Sequence, residues 1–305
     1  MQSLRIGIMH GAAGPEGSLD EIVATARRVE SLGFATLWMP NIFSWDAISV
    51  LTVVGRETER IELGTAVVPT YPRHPMAIAQ QALTASAASG GRFTLGIGLS
   101  HQVVIEGMYG LSYEKPARHM KEYLEVLTPL LRGEPVKYEG EQYRVQGALQ
   151  VPGAAPVPLL VAALGPVMLG HAGRLSAGTI TWMTGPKTLG DHIVPGLRTA
   201  AEKAGRDTPR VVAGLPVALT SDPSAARETM NKVFAVYGTL PSYRAMLDRE
   251  GADGPADVAL VGDETSLREQ IERLRDIGVS DFDASITQVE DGGYERTLEF
   301  LASLN

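Results

Sequence analysis

A histidine that follows a glycine-rich segment has the residue type of a catalytic acid or base. The segment reads Leu95-Gly96-Ile97-Gly98-Leu99-Ser100-His101. Its glycines permit close approach of a ligand to the backbone, and the imidazole of His101 could exchange a proton near neutral pH, although a structural histidine is the alternative. A dinucleotide fingerprint would need glycine where His101 stands, and a nucleophile elbow would need glycine where Gln102 stands. Both of those sites are therefore excluded.

Two later segments combine the end of an apolar run with a helix start. The first is Ala162-Ala163-Leu164-Gly165-Pro166, in which Pro166 suits the first turn of a helix. Backbone amides at a helix start attract phosphate, so Gly165 is a candidate phosphate-binding residue. The second is Thr181-Trp182-Met183-Thr184-Gly185-Pro186-Lys187, which offers hydroxyl groups, an indole ring and another helix start. Trp182 could instead be part of the core, and Lys187 could meet an anion or be solvated.

An aromatic loop and a proline-rich turn supply further candidates. In the loop, Phe43 and Trp45 could pack against a planar ring to which Asn41 hydrogen-bonds, or they could simply cover the protein. In the turn, Arg73 and His74 could face a ligand, or they could cap and solvate the turn.

The composition excludes several kinds of site. The chain has 305 residues and no cysteine, so disulfides, thiolate metal ligands and cysteine nucleophiles are excluded. The six histidines show no His-x-x-x-His pair, and we predict no metal. A net charge of -8 argues against a nucleic-acid partner. The sequence shows no signal peptide and no apolar run of the roughly 18 residues that a membrane span needs. We therefore predict a cytoplasmic protein without membrane contact.

The elements that must position these residues alternate between short apolar runs and helical patterns. Eight strands are predicted, at 4–9, 36–39, 61–68, 93–98, 157–163, 178–183, 211–219 and 281–286. Strands that alternate with helices are parallel, and eight such units favour a closed (β/α)8 TIM barrel over an open doubly wound sheet. Barrel enzymes carry their active sites at the carboxyl ends of the strands, where the candidate residues stand.

Two segments interrupt the alternation and are predicted to be insertions. One is a hairpin at about 134–150, and the other is an extra helical segment at about 238–255. The sequence has no linker long enough to divide the chain. Residues 1–305 are therefore predicted to form a single domain.

Four motifs spread over the chain carry a family resemblance. They are Leu-Gly-Phe…Leu-Trp-Met-Pro at 32–40, Gly-Thr-Ala-Val-Val-Pro…Arg-His-Pro at 64–75, Gly-Gly-Arg-Phe-Thr-Leu-Gly-Ile-Gly at 90–98 and Asp-Val-Ala-Leu-Val-Gly-Asp at 257–263. With these motifs the chain resembles the bacterial-luciferase-like monooxygenase superfamily, especially its coenzyme F420-dependent oxidoreductases of actinobacterial type. The resemblance runs from the first strand to the last helix.

The resemblance implies coenzyme F420 as the cofactor, with FMN as the alternative, and a homodimer. It implies a non-prolyl cis peptide bond below the ring, for which the matching bond is Thr65–Ala66, and it places the ribityl and phosphate groups on the loops after strands four to six. Some members carry a glutamate proton donor where His101 stands, and others carry a histidine where Asn41 stands. The cofactor-binding residues expected from the residues and the resemblance together are Asn41, Thr65, Ala66, Gly98, Ser100, His101, Ala163, Leu164, Gly165, Thr181, Trp182 and Met183.

We predict an oxidoreductase that transfers a hydride between the deazaflavin and a small carbonyl, alcohol or activated alkene. His101 is the predicted catalytic residue, as a proton donor. The first alternative is an FMN-dependent monooxygenase that activates oxygen. The second is a barrel that binds a flavin or a metabolite without catalysis.

Overall fold

Eight parallel strands close into a barrel in the computed structural model, which describes residues 3–11 and 17–305. In ring order the barrel strands are β1 (Arg5–Met9), β2 (Thr36–Met39), β3 (Glu62–Thr65), β5 (Phe93–Gly98), β8 (Leu159–Val161), β9 (Gly178–Trp182), β10 (Arg210–Leu219) and β12 (Asp281–Ile286). Pairing of β10 with both β9 and β12 closes the ring. The predicted TIM barrel is therefore confirmed.

Four short strands lie outside the ring. β4 (Val68–Pro69) pairs with β5, and β11 (Leu260–Gly262) pairs in parallel with the last residues of β10. β6 (Val136–Glu139) and β7 (Arg144–Gly147) form an antiparallel hairpin of their own. The predicted continuous strand 61–68 is wrong, because the chain leaves the ladder between β3 and β4.

Helices connect the strands on the outside of the barrel. They are α1 (Leu19–Ser31), α2 (Ala47–Glu57), α3 (Pro75–Ala88), α4 (Gln102–Gly107), α5 (Pro116–Leu131), α6 (Pro166–Leu175), α7 (Pro186–Thr188), α8 (Val194–Lys203), α9 (Pro223–Val233), α10 (Pro241–Glu250), α11 (Glu264–Asp276) and α12 (Gly293–Ala302). Several begin at side chains that accept a hydrogen bond from the first helical turn, including Ser18, Asp46, Asp222 and Asp263.

The amino end of the barrel is filled by an ion network. Arg210 forms ion pairs with Glu62 at 2.6 Å and with Asp281 at 2.7 Å, and Arg5 contacts both carboxylates. Each of the four is the first residue of its strand, so the ring brings them together. Burial alone would raise the pKa of Glu62, but the charge of Arg210 and its hydrogen bonds outweigh burial and lower it to about 2.

Further inside the barrel the packing is mainly apolar, but it includes the carboxyl group of Asp283 and, on the same face of β12, the hydroxyl of Ser285. Trp38 packs with Leu160, Ile180 and Val212 in a cluster separate from the main core between strands and helices. Asp283 is fully buried beside Gly7 of β1 and Gly214 of β10, and neither of its carboxyl oxygens has a hydrogen-bond partner among the described residues. Burial raises its pKa well above the usual value, and the charge of Asp281 adds to this effect.

Within residues 3–11 and 17–305, no helix is long and apolar enough to cross a membrane. The same residues contain no group of three or more histidine or acidic side chains that could hold a metal ion. The single domain predicted over residues 1–305 stays a prediction, and residues 1–2 and 12–16 of it lie outside the described residues.

Candidate functional site

The carboxyl ends of β3, β5 and β8 meet in direct contact. A Cβ atom added at Gly98 would lie 2.8 Å from the Val67 side chain and 3.2 Å from the Cβ of Ala162. A Cβ at Gly96 would collide with the carbonyl oxygen of Thr65. These two glycines therefore admit the neighbouring strand ends. The sequence alone suggested only the approach of a ligand.

The non-prolyl cis peptide bond is Ala66–Val67, one residue beyond the predicted Thr65–Ala66. Thr65 remains part of the strand ladder as the register partner of Met39. Its hydroxyl also donates to the Gly96 carbonyl and accepts from the Gly96 amide, both at 2.8 Å. The amide of Ala66 still donates to the carbonyl of Met39 at 2.8 Å. The chain can therefore depart from strand geometry only after Ala66.

The loop after β5 has an unusual backbone and a histidine that makes no capping contact. Ser100 has a left-handed backbone with φ 60°, a conformation that non-glycine residues adopt rarely and often at functional sites. The hydroxyl of Tyr113 donates to the Ser100 carbonyl at 3.2 Å. His101 is the N-cap of α4, yet its side chain makes no capping hydrogen bond. Its imidazole therefore remains available to a ligand.

The ring of His101 is half-buried against an aromatic residue from the second insertion. Its centroid lies 5.5 Å from that of Tyr243, on α10. Burial lowers the pKa of His101, so the neutral imidazole is its main form at neutral pH.

The loop after β8 leads into a helix start with space around it. Gly165 is the N-cap of α6 and Pro166 is its first residue, as the sequence predicts. Apart from Gly165 and its two chain neighbours, no atom of the described residues lies within 4 Å of the position of a Cβ at Gly165, and no side chain caps the helix. Ala163 is fully buried, and the Leu164 carbonyl forms a 2.8 Å hydrogen bond with the His192 ring. This loop presents backbone groups rather than functional side chains.

The loop after β9 combines a buried turn with a half-buried indole ring. Met183 has a left-handed backbone with φ 53° and a buried side chain, and the hydroxyl of Thr181 is directed into the barrel wall. Trp182 is half-buried and lies edge-on to Phe234 and Tyr237, with ring centroids 5.8 Å apart in each case. Of these three predicted residues, only Trp182 keeps part of its side chain accessible.

The helix start that follows this loop is already filled by a carboxylate. Glu250, the last residue of α10, accepts hydrogen bonds from the amides of Lys187 at 3.0 Å and Thr188 at 2.7 Å. Gly185 leaves room for this carboxylate, because a Cβ there would collide with it. The helix start proposed from Gly185-Pro186 is therefore occupied by the protein itself.

The polar residues around β2 and β3 hold the loops in place. The side-chain oxygen of Asn41 accepts from the amide of Ala47 at 3.1 Å, at the start of α2. Arg73 forms an ion pair with Asp46 at 2.7 Å, and the His74 ring caps α3 through the Met76 amide. For Arg73 and His74 the structure favours the loop-supporting alternative.

Sequence reasoning did not identify Tyr237, Tyr243 and Glu250 as site residues. All three lie in or beside the second insertion, which the sequence presents only as extra helix. The aromatic spacing of Phe234, Tyr237 and Tyr243 is a signal that could have been found. Contact with strand ends far away in the chain is not visible in the sequence.

Comparisons with known proteins give a consistent result. The profile of the luciferase-like monooxygenase family matches residues 4–281. A 5,10-methylenetetrahydromethanopterin reductase of Methanolobus tindarius is 31% identical over 250 residues, covering 81% of this chain and 76% of that protein. An F420-dependent glucose-6-phosphate dehydrogenase of Nakamurella multipartita is 32% identical over 231 residues, covering 73% of this chain and 66% of that protein.

A solved structure agrees in fold over nearly the whole length. The coenzyme F420-dependent tetrahydromethanopterin reductase of Methanopyrus kandleri superposes with a TM-score of 0.80 at 24% identity. The match covers 98% of this chain and 97% of that one. At this identity the likeness shows the barrel fold.

Proposed function

The chain belongs to the luciferase-like monooxygenase family, and from that premise we propose that it is a coenzyme F420-dependent oxidoreductase. The observation that carries the choice of F420 is the 32% identity, over 73% of this chain, to an enzyme that is F420-dependent by name. The proposed reaction moves a hydride between the deazaflavin and a small carbonyl, alcohol or activated alkene. The same proposal includes a homodimer, as the family resemblance implies, and the cytoplasmic location predicted from the sequence.

The residues at the carboxyl edge of the barrel fit this cofactor. The start of α6 at Gly165 has uncapped backbone amides and open space beside it, which suits a phosphate group. Ala66 and Val67 are half-buried and pack on the cluster around Trp38, so they form a firm floor for a ring. The left-handed turn at Ser100 directs the chain around the same edge.

We propose that some residues contact the cofactor through backbone groups and others through side chains. Gly98, Ser100, Ala163, Leu164, Gly165 and Met183 would contribute backbone groups, whereas Ala66, Trp182 and His101 would contribute side chains. Thr65, Thr181 and Asn41 make their side-chain hydrogen bonds to the protein, so we assign them to support of the site.

F420, when bound, supplies two-electron hydride chemistry. The protein would hold the substrate and exchange the accompanying proton at the imidazole of His101. Because burial lowers the pKa of His101, the neutral ring can accept the hydroxyl proton of an alcohol during oxidation. During reduction of a carbonyl, the imidazolium form must be present to donate a proton to the substrate oxygen. Trp182 and Tyr237 would exclude water from this space.

A titration of the purified protein with F420 and with FMN tests the proposal. We expect F420 to change its fluorescence on binding and to raise the melting temperature, because it binds the folded state, and FMN to bind more weakly. A preference for FMN would shift the assignment to oxygen chemistry. Binding of neither cofactor would contradict the proposed site.

A further inference from the structure

A continuous line of aromatic rings joins the second insertion to two strand ends. Phe234 contacts Trp182, Trp182 contacts Tyr237, and the ring centroids of Tyr237 and Tyr243 are 5.3 Å apart. Tyr243 in turn lies 5.5 Å from His101. The line therefore runs from the end of β9 to the end of β5, two strands that are separated in the barrel by β8.

Four rings of this line keep part of their surface accessible. His101, Trp182, Tyr237 and Tyr243 are all half-buried. We refer to these four residues as the aromatic wall. Aromatic faces of this kind offer a large rigid area to a flat ligand and prefer stacked or edge-on contact with it.

The aromatic wall carries no charge at neutral pH. Burial raises the pKa of Tyr237 and of Tyr243, so both hydroxyl groups stay protonated. Burial lowers the pKa of His101, so its imidazole is neutral. A charged ligand would thus lose hydration at this surface and gain no ion pair in return.

The helix start beside the wall also disfavours an anion. The Glu250 carboxylate takes the amides of Lys187 and Thr188 that could otherwise bind a phosphate. Through these bonds the same carboxylate fastens the end of α10, which carries Tyr243, to the loop after β9. Lys187 is the cation of this loop, and its side chain is exposed.

We propose that the aromatic wall is the substrate-facing surface of the site and selects uncharged substrates with a flat apolar face, while Glu250 excludes phosphorylated or carboxylated ones. This inference rests on the proposed F420-dependent function and names the substrate class for it. It separates this chain from the Nakamurella relative, whose name gives a sugar phosphate as substrate.

Binding of a matched ligand pair to the F420-loaded protein tests the inference. The pair is acetophenone and 4-acetylbenzoate, which differ by one carboxylate, and calorimetry measures their affinities without turnover. We expect acetophenone to bind at least about tenfold more tightly. Equal or tighter binding of 4-acetylbenzoate would overturn the inference. Failure of F420 itself to bind is a separate result that contradicts the proposed function.

Variants assign the selectivity to the named residues. Tyr237→Leu and Tyr243→Leu should each weaken acetophenone binding by about tenfold, whereas Tyr109→Leu, at an exposed tyrosine outside the wall, should leave it unchanged. Glu250→Gln should narrow the preference for acetophenone by improving 4-acetylbenzoate binding. Unaltered affinities in both wall variants, or a preference unaltered in Glu250→Gln, would contradict the assignment. Loss of 4-acetylbenzoate binding in Lys187→Ala would also overturn it, because Lys187 would then be recruiting anions.

Discussion

His101 is the N-cap residue of α4, but its imidazole makes no capping hydrogen bond. An N-cap side chain usually accepts a hydrogen bond from the first turn, but this ring makes none and lies beside Tyr243. The position after a glycine-rich strand was readable in the sequence. The freedom of the ring depends on how α4 begins and on the insertion above it.

His101 should control the pH dependence of turnover. Because its pKa lies below the usual 6.5, the imidazolium form is lost as the pH rises through that lower value. The rate of substrate reduction should fall over this range, and the rate of oxidation should rise. His101→Ala should remove this dependence and lower turnover by about 100-fold, with a smaller effect on F420 affinity. Stopped-flow rates between pH 4.5 and 8 check this, and a wild-type pH profile in the variant would exclude His101 from proton transfer.

Polar residues near the strand ends illustrate why residue type alone does not define a site. Thr65 and Asn41 could each contact a cofactor by chemistry and position. The structure instead uses their side chains to bind neighbouring backbone groups. Loops that leave a barrel have backbone groups without ladder partners, and nearby polar side chains satisfy them.

At the scale of elements, the capped amphipathic helices and the buried strands were the most predictable. The strands at 36–39, 93–98 and 281–286 match the prediction at both ends. Helix α2, by contrast, was not predicted. Its sequence Ala-Ile-Ser-Val-Leu-Thr-Val-Val is rich in β-branched residues with low helix propensity. Packing in the core and the N-cap at Asp46 overcome that preference.

One buried carboxylate is among the contacts that attach the β6–β7 hairpin to the barrel. Glu122 of α5 accepts hydrogen bonds from the amides of Glu141, Gln142 and Tyr143, at 2.8 to 3.2 Å. Glu122→Ala should lower the free energy of unfolding by about 1–3 kcal/mol, because it leaves three part-buried amide donors without their acceptor. Glu139→Ala, at an exposed position of the same hairpin, should change it by less than about 0.5 kcal/mol. Urea unfolding of both variants measures the difference, and equal losses would contradict this role of Glu122.

The barrel encloses two carboxyl groups, Glu62 and Asp283, whose pKa values are shifted in opposite directions. Glu62 is paired with Arg210 and has a lowered pKa, so its contribution to stability is present at neutral pH and is lost as the pH falls toward about 2. Asp283 is unpaired and has a raised pKa. Its effect on stability therefore has the opposite dependence on pH.

Asp283→Asn should alter stability in a pH-dependent way. Below about pH 3.9 the carboxyl is protonated in both the folded and the unfolded state. Above that pH only the unfolded state releases the proton readily, so the wild type loses stability as the pH rises toward the folded-state pKa. The variant should therefore gain melting temperature relative to the wild type from pH 4 to pH 7. Asp207→Asn, at an exposed position, should show no such trend. A constant difference across this range would contradict an unpaired, proton-retaining Asp283.

By itself the sequence determined the alternation of eight strands with helices, the barrel that follows from it, the family resemblance and the strand-end positions of most candidate residues. Hydrophobic periodicity, helix caps and glycine positions are local signals that can be read from the sequence. Because the connections in a parallel barrel follow fixed rules, these signals are compatible with only a few topologies. Only the tertiary structure decided that the cis bond follows Ala66, that Glu250 fills the helix start at Gly185, and that Tyr243 lies against His101 while Tyr237 lies against Trp182. The last two depend on contacts between residues far apart in the chain, and such contacts leave no periodic pattern in the sequence.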